Sequence, residues 1–136
     1  MRSIPLLVAV SILASCADAP PPPQMVRSPS GEREYASLVA GKVPGQPISC
    51  LQNYLANDQT VIDGRTIAYR VGSRTTYLMH LGPGCEALGS GNYALLSRQV
   101  GSMGMCRGDI EQVIDTMNHM NVGSCTITDI IPYTKR

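Results

Sequence analysis

Large apolar residues recur at every second position over one stretch of this 136-residue chain, where Ile67, Tyr69 and Val71 interleave with Thr66, Ala68 and Arg70. A period of two marks a β-strand with one face buried. Gly72-Ser73 interrupts the run and residues 75–81 resume it, so the two stretches are expected to form an antiparallel hairpin. Upstream, Thr60-Val61-Ile62 is a short strand ended by the Asp63-Gly64 turn; downstream, Gly82-Pro83-Gly84 stops the second hairpin strand. Residues 93–100 read as a further strand. In residues 110–117, Ile110, Val113, Ile114 and Met117 fit helical spacing, but the preceding Gly108-Asp109 turn favours a strand. Residues 118–123 are expected to be a loop, and Cys125, Ile127 and Ile130-Ile131 to build a last strand closed by Pro132. Helical turns are expected at 49–55, capped by Ser49 with Leu51 and Leu55 on one face, and at 85–88. Thirteen glycines suit short strands and tight turns better than a helical bundle. The expected fold class is mainly β: a small antiparallel sheet or partly open barrel with short helical turns.

The start of the chain has a different texture. Arg2 precedes an apolar run over residues 4–14, which is too short to span a bilayer, since spanning takes about 20 residues. The run ends in Leu13-Ala14-Ser15-Cys16, and this resembles a bacterial lipoprotein signal. The resemblance implies a signal peptide at residues 1–15 and a diacylglyceryl group on Cys16. Further acylation, of the palmitate kind, would then anchor the chain to the lipid bilayer, because several acyl chains hold stably where one is marginal. An ordinary secretory signal is the alternative. Ala17, rather than Asp, follows the cysteine, which by the same resemblance points to the outer membrane with the protein facing the periplasm. Pro20, Pro21, Pro22 and Pro23 favour a stiff extended spacer. Residues 16–46 are therefore read as a lipidated, proline-rich tether, mostly disordered or loosely laid on the domain, with at most a short helical turn at 32–38. The folded domain is expected over residues 47–134.

Charge narrows the partners. Eleven Lys and Arg stand against ten Asp and Glu, and Arg65, Arg70 and Arg74 are separated by apolar residues. Without a basic stripe, Trp or Phe, nothing favours nucleic acid.

Besides Cys16 there are four cysteines, Cys50, Cys85, Cys106 and Cys125. An exported domain of about 85 residues has little core to spare, and an even set of thiols in an oxidising compartment reads as a disulfide framework. Three pairings are possible. Cys85 and Cys106 sit in glycine-rich connections beside the central strands, and Cys50 and Cys125 lie near the first and last elements, so the favoured pairing is Cys85–Cys106 with Cys50–Cys125. The competing use is a metal site built from His80 and Cys85, or from Cys106, His119 and Cys125. Their spacing matches no common zinc pattern.

The other polar candidates have structural explanations. His80 falls between Met79 and Leu81 on a strand, and His119 in a polar loop. Asp63 and Asp109 adjoin glycines, where a carboxylate accepts from turn N–H groups. Glu86 and Glu111 form no recognisable acid/base pair. Met103 and Met105 are read as soft core filler rather than copper ligands. Arg107-Gly108-Asp109 spells an adhesion tripeptide of a length that occurs by chance, and no phosphate-binding glycine loop is present.

One resemblance spans residues 48–134. Cys50, the strand at 75–81 followed by Gly84-Cys85-Glu86-Ala87-Leu88, then Cys106-Arg107-Gly108-Asp109, then Gly123-Ser124-Cys125 through Ile131-Pro132-Tyr133 are together similar to a family of small proteobacterial envelope lipoproteins of unknown function. It implies the address and a paired-cysteine core, and no catalytic, cofactor or metal residue. The expected role is non-enzymatic: a membrane-anchored periplasmic domain that is structural or binds an envelope protein. A small-ligand or metal-binding module, with Tyr69, Tyr77 and Tyr93 lining a pocket above His80, is the second reading, and an enzyme the third.

Overall fold

The computed structural model describes residues 26–98 and 104–136. The expected signal peptide, Cys16, the four prolines 20–23 and Met103 lie outside the described residues. Helix α1 (Pro29–Val39) is followed by β1 (Lys42–Pro44), β2 (Cys50–Leu51), β3 (Gln59–Asp63), β4 (Thr66–Val71) and β5 (Thr75–Leu81). Then come β6 (Tyr93–Ser97), β7 (Met105–Cys106), β8 (Ile110–Asp115) and β9 (Asn121–Lys135), with short 3-10 turns at Asn53–Leu55 and Glu86–Ser90.

The expected β class holds. Seven strands form one antiparallel sheet in the order β3-β4-β5-β9-β8-β6, with β1 added beside the end of β9, and the sheet curls into a half-barrel. Strand β9 organises it. Residues 127–134 pair with β5, residues 121–126 with β8, and residues 133–135 with β1. The two edge strands, β3 and β6, both touch the 3-10 turn Glu86–Ser90, whose buried Leu88 fills the space between them. Strands β2 and β7 form a separate two-stranded ribbon.

Strict alternation divides the side chains between two cores. Ile67, Tyr69, Met79, Leu81, Val113 and Ile127 point to the concave side, with Leu51 and Met105 of the ribbon packed against them. Ala68, Leu78 and Ile62 point to the other side, where Leu38, Tyr35 and Val39 of α1 cover them. Each face of the central hairpin is therefore buried by a different partner.

Helix α1 and β1 lie in the segment expected to be tether. Ser28 caps the helix, its Oγ accepting from Gly31 N at 3.1 Å, and Pro29 occupies the first turn. Arg27 Nε donates to Asp63 Oδ2 at 2.8 Å, and Lys42 Nζ donates to Leu38 O and to Thr76 Oγ1. Gly31, which reads as a helix breaker, is instead a contact residue, since a Cβ there would lie 2.6 Å from Ile62 O. The fold thus takes in residues N-terminal to 47.

Local details also differ. The stretch 49–55 is not a capped helix: Cys50 and Leu51 extend to pair with Cys106 and Met105, and only three residues then make a 3-10 turn. Strand β9 begins at Asn121, inside the expected loop, and runs through Pro132 instead of stopping there. Pro132 turns its carbonyl toward Gly45 N (2.7 Å), so its missing N–H falls outside the β5 ladder.

The cysteines are oxidised in a different pairing from the one expected. The bridges are Cys50–Cys106 and Cys85–Cys125, with Cα separations of 3.9 and 5.5 Å, and neither Cys85–Cys106 nor Cys50–Cys125 forms. The expectation placed Cys85 and Cys106 together because both sit in glycine-rich connections beside the central strands. In the fold, the chain leaving β5 continues along the first half of β9, Gly82 N donating to Thr126 O at 2.8 Å, and this carries Cys85 to Cys125. Replacing Leu38 by Ala should destabilise the domain by about 2–5 kcal/mol, the usual cost of truncating a buried Leu. Urea unfolding checks this; an unchanged midpoint would mean that α1 does not belong to the core.

Candidate functional site

Inside the half-barrel the sequence places a carboxyl where a hydrophobe is usual. On β8, Val113 faces the core, so Glu111, two residues earlier, faces it too, and its relative exposure is 1%. In register it stands between Ser97 of β6 and Cys125 of β9. Its Oε2 contacts Ser97 Oγ, which lies 3.3 Å from Met105 Sδ; Tyr69 donates its hydroxyl to the same sulfur at 3.6 Å. Burial pushes the Glu111 carboxyl above its ordinary range and Asp109 adds to this, while the Ser97 hydrogen bond opposes it. Burial, followed by the charge of Glu111, pushes the Tyr69 phenol up as well. Ser97 has one hydrogen and two acceptors beside it. That one hydrogen serves either the carboxyl of Glu111 or the Met105 sulfur, which already accepts from Tyr69. The arrangement ties β6, β7 and β8 together.

A second polar group sits on the opposite face, at the start of α1. Arg27 bridges Asp63 and Glu32 and stacks over the Tyr35 ring at 4.3 Å from its centre. His80 shares this face. Burial pushes its imidazole below the ordinary value; Asp129 and Asp63 oppose that, and Arg27 reinforces it. A shallow groove of about 270 Å³ runs alongside, lined among others by Ser28, Ser30, Glu34 and Thr60.

These positions decide how the sequence candidates combine. Tyr69, Tyr77 and Tyr93 do converge, but as members of the concave core, with Tyr69 fully buried. His80 is on the other side of the sheet and cannot be the floor beneath them. Asp63 and Asp109 act as turn acceptors, from Arg65 N and Cys106 N. Gly108, at φ +90, makes the adhesion-like tripeptide part of that tight turn. Glu86 accepts from Gly84 N and pairs with Arg65 at the surface. Cys50, Cys85, Cys106 and Cys125 are spent in disulfides and offer no thiolate. Glu111 was passed over because no acid/base partner is near it in sequence, and because alternation places it with Val113 and Asp115 on the face opposite the two isoleucines, Ile110 and Ile114.

A family model, described as a family of unknown function (DUF6491), matches residues 1–136. The chain belongs to that family. No curated protein and no solved structure matches it. For this DUF6491 member, then, the side chains themselves supply the chemistry to be tested.

The sign of the Glu111 effect is fixed by its raised folded-state pKa. Its contribution to stability is complete below the unfolded carboxyl value and is lost as pH rises through the folded value. Glu111→Gln should therefore be more stable than the parent at neutral pH, the difference closing on acidification. His80 shifts the other way, losing stability as pH falls, but it is common to both proteins and cancels in the difference. Urea midpoints for the pair across about pH 4 to 8 check this; a pH-independent difference would show that Glu111 does not titrate in the fold.

Proposed function

We propose that this DUF6491 member is an exported lipoprotein, acylated at Cys16 and held at the outer membrane facing the periplasm, where its domain has a structural or protein-binding role. The observation that carries the reading is the pair of disulfides inside a fold with no Trp and no Phe. Such crosslinks persist in oxidising compartments, and the apolar run ending at Ser15-Cys16 is the segment that would take the chain there. Its similarity to small proteobacterial envelope lipoproteins points the same way.

The outer face of the β6–β8–β9 wing supports a binding role. The inward set is Leu95, Glu111 and Val113, so Leu96 and Ile110 point outward, and they are exposed together with Val122. Exposed apolar side chains grouped on one sheet face are what a protein partner would cover.

Cys16→Ser should abolish lipid attachment and release the chain from membranes. Labelling cells with radioactive palmitate, followed by membrane fractionation, reads both effects. Equal labelling of parent and variant would contradict the anchor.

A further inference from the structure

We propose that the turn between β8 and β9 is a binding site for a soft monovalent cation, copper(I) or silver(I), with Met117, His119 and Met120 as its donors. The methionines of this turn are out of place as packing residues. Met79 and Met105 are buried in the concave core, whereas Met117 and Met120 are 82% and 62% exposed. His119, between them, is also exposed and has φ +60, a left-handed conformation that histidine adopts more readily than most side chains and that fixes its direction out of the turn. Two long thioethers and an imidazole are thus held out into solvent by a single loop.

The loop is stiff, and its hydrogen bonds sort the donors. Asp115 N donates to Met120 O and His119 N donates to Asp115 O, both at 2.9 Å, closing the chain between 115 and 120. Asp115 Oδ1 accepts from Met117 N and Asn118 N, and Asn118 Oδ1 accepts from Met120 N. Thr116 donates its hydroxyl and its N–H to Asn92 O. Asp115 Oδ1 and Asn118 Oδ1 are therefore occupied with the turn's own backbone. The groups turned outward are two sulfurs and one imidazole, the set that selects copper(I) over calcium, magnesium or zinc. Thioether arms have three rotatable bonds each, so the exposed side chains at positions 117 and 120 of one closed loop are free to turn toward a shared ion.

Titration of the full-length chain with silver(I) tests this, with the Cys16 thiol alkylated and the other four cysteines in disulfides. Calorimetry should give one equivalent bound, and the methyl resonances of Met117 and Met120 should shift together with the His119 ring. Met117→Leu and Met120→Leu keep the apolar bulk and remove the sulfur, and His119→Asn suits the left-handed backbone. Each should weaken binding at least about tenfold, the scale expected for losing one ligand interaction of about 1.4 kcal/mol. Absence of binding would overturn the proposal. So would binding unchanged in the three variants, which would place the ion elsewhere or leave the turn an apolar contact surface.

Discussion

Each disulfide of this fold stands beside a glycine whose missing Cβ lets two backbones touch. Gly84, at φ +109, precedes Cys85, and a Cβ there would lie 2.0 Å from Ser124 O, next to Cys125. Gly123 meets Gly84 from the other side, its own Cβ position 2.3 Å from Gly84 O. Gly104, at φ +104, lies just before β7, and a Cβ there would sit 2.0 Å from Leu51 O, next to Cys50. The close approach and the crosslink are two halves of one device, in which glycine brings the strands together and the bridge keeps them there. The bridges interleave along the chain, 50 to 106 closing the two-stranded ribbon and 85 to 125 holding the chain after β5 against β9. Chain-entropy arguments credit each with about 4 kcal/mol, a large share of the stability of a small domain.

The rest of the architecture follows from that fixed point. With the β5 exit pinned to the first half of β9, one strand serves two neighbours, and the sheet curls around a concave core. Glu111 lies in the wall of this core, opposite Cys125. The opposite face, left open by the curl, is covered by α1, which Arg27 and Lys42 fasten at its two ends.

The sequence made local order legible and concealed long-range order. The hairpin of β4 and β5, the strand at β8 and the turn roles of Asp63 and Asp109 follow from period-two patterning and glycine placement, which act between near neighbours. The disulfide pairing depends on which strands β9 joins, and no neighbour relation in the chain encodes that. Helix α1 was hidden for a related reason. Gly31 costs helix propensity locally, yet the contact with Ile62 O requires it, so a tertiary constraint overrides a local one. Glu111 was hidden in the same way: Ile110 and Ile114 mark the opposite face of β8 as the apolar one, and its partner Ser97, which also meets Met105, comes from a separate strand.

Non-reducing peptide mapping of the purified protein tests the central constraint most directly. The account predicts no free thiol among Cys50, Cys85, Cys106 and Cys125, with peptides linked 50 to 106 and 85 to 125. Peptides linked 85 to 106 and 50 to 125, or four free thiols, would contradict it.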